Sequence, residues 1–397
     1  MVQTQLPHDF VHPFSPAGRR NPYPSLTWLR ENAPLFRDPY SGLHYATDHA
    51  SCARILRDPR FSAALGQRER HRDQPLPALM LTTDPPEHSR LRAPGRLLLG
   101  PAAVREHAGE IARGIGDLIA GLSWRAEPEA TEDLGYPFAT LVLSVVLRIP
   151  ADERPAFTAL ARQVSVDLDP LAGPAAARAG RQAMGLLTRY LDGHVDRVLA
   201  AERGPAASSP LARLARDGRL ARAEMLGILA LTVVGGFEPL ACLVGNALTW
   251  LLPRPAAVAA LRSGDAASGE RAVDEFLRLE SPIPFVARVT TQPVPLPGGQ
   301  LAAGARVLAV LAAANRDPAV FGQPDDLRLD RTPSLHLAFG GGPHFCLGGP
   351  LVRSCAAVLL QSLARRHPGL RIAPGAPPEW AGSLIPHRVS GLRLALA

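Results

Sequence analysis

Cys346 lies in a glycine-rich stretch near the C-terminus, where it could bind a metal. The stretch runs from Phe339 to Gly349 with three consecutive glycines at 340–342, and an apolar segment with a helical pattern follows at 351–363. Glycines let the backbone turn tightly and approach a flat ligand closely, because they carry no Cβ. Cys346 precedes the predicted helix, so unpaired backbone N–H groups and the positive end of the helix dipole favour its thiolate. A thiolate in such a place can serve as the proximal ligand of a haem iron.

Other uses of this cysteine fit the sequence less well. A zinc site needs two or more close Cys/His pairs, and His344, Cys346 and Cys355 do not have that spacing. A disulfide between Cys346 and Cys355 is possible in principle, but the four cysteines are scattered, as is typical of a reducing compartment. A phosphate-binding loop would end in Lys followed by Ser or Thr, which this stretch lacks.

The stretch matches a known pattern at every defined position. Residues 339–348 read Phe-Gly-x-Gly-x-His-x-Cys-x-Gly, and here the chain resembles the haem-binding loop of cytochromes P450. The resemblance implies that Cys346 is the axial ligand of the iron of haem b, in a loop shaped by Phe339, Gly340 and Gly348. It extends from about Asn21 to the C-terminus.

The resemblance also implies the fold class and the domain organisation. We expect a mainly α protein with a small β region (α+β), the cytochrome P450 fold, in a single haem-binding domain at 21–397. Residues 1–20 are expected to form an N-terminal extension.

Further segments match the family around the haem. His88 and Arg92 lie four residues apart, on one face of a helix predicted to begin with Asp84 as its cap. In isolation such a pair is usually solvated, but the resemblance implies that His88, Arg92, Arg288 and His344 hold the haem propionates. A Pro-Gly pair at 94–95 is expected to interrupt the helix and to weaken the reach of Arg92.

A Glu-x-x-Arg pair matches the structural clamp that the family keeps behind the haem. Glu275 and Arg278 form the pair, although a pair at i, i+3 is usually surface decoration of little energetic value. The third member of the clamp is an arginine in the family. An ungapped comparison puts Asp326 at its position and leaves Arg328 as a displaced candidate.

The helix expected on the other side of the haem departs from the family pattern. The family has (Ala/Gly)-Gly-x-(Asp/Glu)-Thr, and this chain has Gly235, Gly236, Phe237, Glu238 and Pro239. The resemblance implies that Gly235 leaves room for dioxygen and that Glu238 is the acid of the oxygen side. The alcohol, which normally organises water for proton delivery, is replaced by proline.

Two interpretations of Pro239 remain open. If the helix is already opened here, as in the family, a proline costs less than its usual ~3 kcal/mol and has no chemical meaning. It also lacks an N–H, so the carbonyl of Gly235 needs another partner. The interpretation that we favour is functional, because Pro239 cannot donate the hydrogen bond that threonine would supply.

Composition narrows the class of protein and its partners. The chain has 397 residues, 46% of them hydrophobic and 20% charged, which excludes a disordered chain. The net charge is +7 and all 43 basic residues are arginines, but they are dispersed without interleaved aromatics, so we expect no nucleic-acid binding. An acidic ferredoxin is the expected partner, at a face where the resemblance implies that Arg96 and Arg353 flank the thiolate.

The location expected from the sequence is the cytoplasm. We expect neither a signal peptide nor an N-terminal anchor, because residues 1–20 contain no basic segment followed by an apolar run. The apolar run from Met225 to Leu252 is long enough to span a membrane, but it contains Glu238 and Asn246. We therefore predict a buried central helix and no membrane span.

The remaining pattern predicts a helical chain with a few short strands. The predicted helices are 21–33, 48–56, 102–122, 131–147, 152–167, 181–203, 225–252 and 256–279. Hairpins or strands are predicted at 36–47, 285–297, 305–311 and 383–396. The segments 62–77, 170–180 and 204–209 are predicted to be loops or turns.

The resemblance implies a haem-thiolate monooxygenase or oxidase that acts on an apolar small molecule, which we expect to be a secondary metabolite. Electrons would come from NAD(P)H through ferredoxin reductase and ferredoxin. The side chains expected to wall the substrate pocket are Phe237, Pro284, Phe285, Val286 and Ile385.

Two alternatives to oxygen insertion remain. One is oxidative coupling or ring closure by electron abstraction. The other is a non-enzymatic role, because haem-free relatives of the family activate glycosyltransferases; those relatives lose the cysteine loop, which is intact here.

Overall fold

The computed structural model describes residues 6–64, 80–165, 174–203, 209–375 and 377–396. Most of the described chain is helical, and its longer helices have caps or prolines at their first turns. The α-helices, in chain order, are α1 Pro16–Arg20, α2 Tyr23–Asn32, α3 His49–Arg57, α4 Glu87–Leu99, α5 Pro101–Ala120, α6 Tyr136–Leu147, α7 Arg154–Ser165, α8 Pro174–Ala201, α9 Pro210–Arg216, α10 Arg222–Leu251, α11 Pro255–Ser263, α12 Ala266–Leu279, α13 Leu311–Ala314 and α14 Gly349–Arg366. A π-helical turn, Ala130–Gly135, runs directly into α6.

The strands form one mixed sheet and three small antiparallel pairs. The strands are β1 Leu35–Arg37, β2 His44–Ala46, β3 Phe61–Ser62, β4 Val286–Thr290, β5 Val294–Leu296, β6 Gly299–Leu301, β7 Arg306–Ala309, β8 Leu370–Ile372, β9 Glu379–Trp380, β10 Val389–Ser390 and β11 Leu394–Leu396. The mixed sheet has the order β1-β2-β7-β4-β3, and β2 pairs with β7 in parallel. It therefore joins the N-terminal hairpin to the segment that precedes the cysteine loop.

Helix α10 forms the centre of the helical core. It is apolar around most of its circumference, which is the pattern of a helix buried on all sides, and α6, α7, α8 and α12 pack against it. Among the described residues, two helical segments, Ala130–Leu147 and Arg222–Leu251, are long and apolar enough to span a membrane, but 78% of the most apolar 18-residue window of each is buried inside the protein. Burial of this extent is that of core helices, in agreement with the predicted buried central helix.

The N-terminal residues from Leu6 pack against the domain. Phe10 and Phe14 join an apolar cluster with α2 and the first hairpin, and the ring of Phe14 lies 5.1 Å from that of Phe285. The hydroxyl of Ser25 in α2 donates a hydrogen bond to the carbonyl of Val11. This segment therefore adds a layer to the same apolar cluster as Phe285.

Several predicted elements are confirmed and three are wrong. The hairpin at 36–47 and the helices around α2, α3, α5 and α10 are present. Residues 174–180 belong to α8, because Pro174 begins that helix and does not end a loop. The segment 256–279 forms two helices, separated where Asp265 caps α12. The C-terminal strands do not form a hairpin, since β10 pairs with β9 and β11 with β8.

The predicted loops at 62–77 and 204–209 fall largely outside the described residues, as do 166–167 of the helix predicted at 152–167.

Candidate functional site

The glycines of the cysteine loop are required by the backbone and by close packing. Gly340 and Gly342 have φ angles of +70° and +62°, which other residues adopt only with strain. A Cβ on Gly342 would lie 2.4 Å from the carbonyl oxygen of Leu56, at the end of α3. The loop is therefore held tightly against α3; the predicted close approach of its glycines to a flat ligand stays a prediction.

The thiol of Cys346 lies at the N-terminal end of α14. The backbone N–H of Cys346 donates to the carbonyl of Phe339 over 2.8 Å, which closes the loop. Burial raises the pKa of the Cys346 thiol, whereas hydrogen bonds from the backbone N–H groups of Gly348 and Gly349 lower it. The backbone N–H groups at the start of α14 thus favour the thiolate and burial opposes it; a cation bound at Cys346 would add to the favourable side.

Cys346 has the surroundings of a sole protein ligand. All four cysteines are free. In the part of the chain that the structure describes, no group of three or more His, Cys, Asp or Glu side chains is arranged to hold a metal ion. A metal at Cys346 would therefore bring most of its ligands with it, as the iron of a haem does.

Four basic side chains predicted to hold the propionates are brought together beside this loop. The rings of His88 and His344 lie 4.1 Å apart. Burial, followed by the charges of Arg288 and His88, lowers the pKa of His344 to about 3. Burial also lowers the pKa of His88, and the charge of Arg92 adds to that effect. The cluster therefore carries more positive charge than its surroundings neutralise.

An anion with two carboxylates fits this cluster. The Nδ1 atom of His88 is buried with no hydrogen-bond partner within the protein. The negative charge of Asp84 raises the pKa values of His88, His344 and Arg288 and so offsets part of the lowering by burial. The oxygens of Asp84, however, already accept hydrogen bonds from the backbone N–H of Ala63, over 2.9 Å, and from the Ser62 hydroxyl. The two propionates of haem would supply the missing negative charge and acceptors.

Two predictions about α4 are wrong. Asp84 does not cap the helix, whose N-cap residue is Pro86; the side chain of Asp84 ties the start of α4 to β3 instead. The helix also continues through Pro94, which is buried inside it. Arg92 consequently keeps its reach, and its guanidinium donates to the carbonyl oxygen of Phe345, next to Cys346.

The Glu-x-x-Arg pair is a buried clamp with a third member that the sequence comparison missed. Arg278 donates two hydrogen bonds of 2.8 Å to the carboxylate of Glu275, and both side chains are at most 1% exposed. The Nε atom of Arg331 lies 3.1 Å from the same carboxylate, and its guanidinium carbon lies 5.9 Å from the ring centroid of Phe321. The third arginine is therefore Arg331, and Arg328 contributes only its backbone N–H, which donates to Glu275 over 2.9 Å.

The clamp fixes the irregular segment that leads to the cysteine loop. Its arginines donate to backbone carbonyls along that segment, those of Asn315, Gly322, Gln323, Pro324 and Asp326. A buried carboxylate shared by two arginines is strongly hydrogen-bonded, which compensates for its removal from water. The sequence did not single out Arg331, because it is distant from Glu275 in the chain and only the fold brings the two side chains together.

Two consecutive glycines of the central helix α10 differ in their surroundings. Gly235 is exposed in an otherwise buried part of α10, and a Cβ built there would meet no atom within 4 Å. A Cβ on Gly236 would lie 3.2 Å from the side chain of Leu143 in α6. The first glycine therefore borders open space and the second allows helix packing; the role of Gly235 in leaving room for dioxygen stays a prediction.

Glu238 is buried and is engaged by a neighbouring helix. The hydroxyl of Tyr136, the first residue of α6, donates to its carboxylate over 3.0 Å and 3.2 Å. The thiol of Cys242 lies 3.8 Å from the same carboxylate. Burial raises the pKa of Glu238, and the hydrogen bond from Tyr136 offsets part of that rise. Nothing in the spacing of α10 pointed to Tyr136, because it lies about a hundred residues earlier.

Pro239 lies inside α10, which runs unbroken from Arg222 to Leu251. Proline has neither a hydroxyl nor a backbone N–H, so it donates no hydrogen bond beside the space at Gly235. Residues 235–239 include no side-chain hydroxyl, and the carboxylate of Glu238 is held by Tyr136. This turn of the helix therefore presents no alcohol to the space at Gly235.

The residues expected to wall the pocket lie in different surroundings. Phe237 is fully buried, and its ring stacks on Tyr136 at 5.5 Å. Phe285 and Ile385 belong to the apolar cluster of the N-terminal segment. Pro284 and Val286 flank Phe285 at the start of β4 and are half-buried. The structure thus groups Pro284, Phe285, Val286 and Ile385 on one side of the molecule and places Phe237 in helix packing.

The two arginines expected to receive a redox partner differ in their freedom. Arg96 is exposed on α4. The guanidinium of Arg353 is 2.6 Å from the carboxylate of Asp274 and lies 4.7 Å from the ring centroid of Phe339. Arg353 therefore braces the cysteine loop, and Arg96 is the freer of the two charges.

Comparisons with known proteins agree with this geometry. The family model for cytochrome P450 matches residues 270–367, which include the clamp and the cysteine loop. The chain is 32% identical over 373 residues to the cytochrome P450 monooxygenase PikC of Streptomyces venezuelae, covering 89% of this chain and 86% of that protein. It is 34% identical over 338 residues to the biflaviolin synthase CYP158A1 of Streptomyces coelicolor, covering 83% and 80%.

A solved structure extends the likeness to the whole fold. The crystal structure of CalO2 superposes with a TM-score of 0.86 at 29% identity, covering 97% of this chain and 98% of that one. Members of the family bind haem and receive electrons from NAD(P)H through partner proteins, and the thiol, the basic cluster and the glycine loop described above fit a haem. The chain therefore belongs to the cytochrome P450 family of haem-binding monooxygenases.

Proposed function

We propose that this enzyme oxidises a small, largely apolar secondary metabolite whose own polar group assists proton delivery. The observation that carries the proposal is Pro239, which stands where the family has an alcohol. The neighbouring Glu238 accepts a hydrogen bond from the Tyr136 hydroxyl. Several relatives in the comparison have names from secondary metabolism, such as the nocardicin C N-oxygenase of Nocardia uniformis. The enzyme is expected to work in the cytoplasm.

The residues around the haem have distinct roles in this proposal. Haem supplies the activation of oxygen and the oxidation of the substrate when it is bound. Cys346 ligates its iron, with Phe339, Gly340 and Gly348 shaping the loop, and His88, Arg92, Arg288 and His344 hold its propionates. Glu275, Arg278 and Arg331 keep the loop in place from behind.

The side of the site near Gly235 depends on the substrate. Gly235 leaves space, Pro239 donates no hydrogen bond and Glu238 has its carboxylate buried against α6. A hydroxyl, amine or carboxyl group of the substrate, or a water that it orders, would then hold the proton that the missing alcohol normally positions. Pro284, Phe285, Val286 and Ile385 are proposed to shape the pocket, directly or through the apolar cluster that they form.

A second candidate reaction follows from the same observation. Oxidative coupling or cyclisation by electron abstraction needs no oxygen insertion, and Pro239 would not hinder it. A relative with the name biflaviolin synthase is 34% identical to this chain. The intact cysteine loop and basic cluster favour both enzymatic reactions over a haem-free activator of glycosyltransferases.

The test is the coupling of cofactor oxidation to product. A panel of metabolites is first screened for substrate-induced changes in the haem absorption spectrum. Hydrogen peroxide released per NAD(P)H oxidised is then measured with the substrate and with an analogue that lacks the polar group nearest the oxidised carbon. We expect several-fold more peroxide with the analogue; equal ratios would remove the proposal of substrate assistance.

Electrons are proposed to arrive through an acidic ferredoxin on the face that carries Arg96. Exposed charge pairs are screened by salt, so turnover should fall as ionic strength rises. Arg96→Ala should weaken this salt dependence, whereas Arg37→Ala, an exposed arginine of β1, should not. A turnover rate that does not change with salt would contradict this docking mode.

A further inference from the structure

A second concave site lies on the surface, away from Cys346. It is a cleft of about 730 Å³ between α2, the C-terminal end of α10 and the segment that carries β9. None of its lining residues belongs to the cysteine loop, the propionate cluster or the turn around Gly235. Its volume lies within the range of small-molecule sites, roughly 300–1,000 Å³.

The floor of the cleft is held by one buried carboxylate. Glu280 is 3% exposed and accepts hydrogen bonds from the Tyr23 hydroxyl, from the Trp250 indole over 3.2 Å and from Arg316 over 3.2 Å. The Nε2 atom of His387 lies 3.0 Å from Oε2 of Glu280, the oxygen that the Tyr23 hydroxyl also contacts, whereas Trp250 and Arg316 donate to Oε1. Because these partners come from four separate elements, the aromatic groups of the floor are fixed in place before any ligand binds.

The charges of the cleft are not balanced. Arg316 is paired with both acids of the lining, Glu280 at 3.2 Å and Asp325 at 2.8 Å. Within the described ranges, neither Arg20 nor Arg254 has a carboxylate at ion-pair distance, and both are exposed. Arg254 donates one hydrogen bond to the carbonyl of Trp250, which leaves the rest of its guanidinium free. The rim therefore carries two positive charges available to an anion.

One aromatic surface is available for a flat ring. Trp380 stacks on His387 with ring centroids 4.4 Å apart and planes inclined by 7°. His387 covers one face of the indole, so Trp380 turns its other face or its edge toward the cleft that it lines. Trp250 also lines the cleft, and the guanidinium of Arg254 lies 4.8 Å from its ring centroid.

We propose that this cleft binds a flat aromatic anion, with its ring against Trp380 and its carboxylate between Arg20 and Arg254. Guanidinium groups bind carboxylates through paired, charge-assisted hydrogen bonds, and aromatic rings add stacking energy of their own. The site is separate from the haem region, so it binds such a molecule in addition to the substrate.

The proposal is tested with 2-naphthoate on the haem-loaded enzyme, by titration calorimetry. An iron-coordinating azole is added first to occupy the haem pocket, and the absorption spectrum confirms that it stays there. The comparison probes are 2-naphthamide, which is flat but uncharged, and cyclohexanecarboxylate, which is charged but not aromatic. We expect 2-naphthoate to bind at least tenfold more tightly than either.

Variants then locate the site. Arg254→Ala removes an exposed charge and leaves the hydrogen-bond partners of Glu280 in place; it should weaken 2-naphthoate binding at least tenfold, as should Trp380→Leu. Arg37→Ala, an exposed arginine outside the cleft, should leave binding unchanged. Three outcomes would each overturn the proposal: no binding up to the solubility limit, equal affinity for the amide, or unchanged affinity in Arg254→Ala. None of them bears on the proposed monooxygenase reaction, which is measured with the haem pocket free.

Discussion

The loop around Cys346 and the turn of α10 around Gly235 are built in opposite ways. In the loop, the glycines are constrained by positive φ angles or by α3, and basic side chains converge beside the thiol. In α10, Gly235 borders free space, Pro239 has no donor and Glu238 is turned to Tyr136. The first region is thus tightly constrained around one thiol, whereas the second borders open space and offers few hydrogen-bond donors, which is the basis of the substrate-assisted proton delivery proposed above.

The strongest way to break this comparison is to remove the ligand from the loop. Cys346→Ser should abolish the red-shifted Soret band that the reduced carbon monoxide complex of a thiolate haem shows, and activity should fall with it, since an alcohol is a far poorer iron ligand. The control is Cys355→Ser, nine residues later in α14, which should keep the band. If the band survived in Cys346→Ser and vanished in Cys355→Ser, Cys355 would be the iron ligand and the assignment to Cys346 would be wrong.

The second prediction concerns the clamp that supports the loop. Arg331→Ala should lower the free energy of unfolding by about 1–3 kcal/mol, because it leaves the buried carboxylate of Glu275 with one charged partner fewer. Arg328→Ala should change it by less than about 0.5 kcal/mol, since its side chain is exposed and only its backbone reaches Glu275. Urea unfolding measures both, and equal losses would reject Arg331 as the third member.

The third prediction sharpens the role of the other side. Pro239→Thr should lower the peroxide released per NAD(P)H several-fold with the analogue that lacks a polar group, because it supplies the missing hydroxyl. Pro239→Val is the matched control, since it restores the same backbone N–H and a similar shape without the hydroxyl. An equal fall in both variants would assign the effect to the helix backbone, and no change in either would make Pro239 a structural feature only.

The two regions also differ in how far the sequence alone could describe them. The cysteine loop is a contiguous pattern whose glycines, cysteine and following helix are local, so the sequence predicted its geometry. Arg331 and Tyr136 were missed because each acts on a carboxylate distant in the chain, and only the folded structure brings the partners together. The start of α8 was missed for a different reason: Pro174 was taken for a loop residue, although proline is also common at the first position of a helix.

The smallest expected effect concerns the ionisation of Glu238. Burial raises its pKa in the folded protein above the unfolded value of about 4.3. Below that value the side chain is protonated in both states, so its ionisation costs no stability. As the pH rises through the folded pKa, the unfolded state loses its proton more readily, and stability is lost, by about 1.4 kcal/mol for each unit by which the pKa is raised.

Glu238→Gln removes this ionisation and retains an acceptor for Tyr136. Its free energy of unfolding relative to the unmutated protein should therefore rise as the pH increases from below the unfolded pKa of the Glu238 side chain to above its raised pKa in the fold. Tyr136→Phe should steepen the loss in the protein that keeps Glu238, because it removes the hydrogen bond that favours the carboxylate. Glu379→Gln, at an exposed position, serves as the control. A difference between Glu238→Gln and the unmutated protein that stays constant across the pH range would show that Glu238 ionises in the fold as it does in water, and that its burial against α6 carries no electrostatic cost.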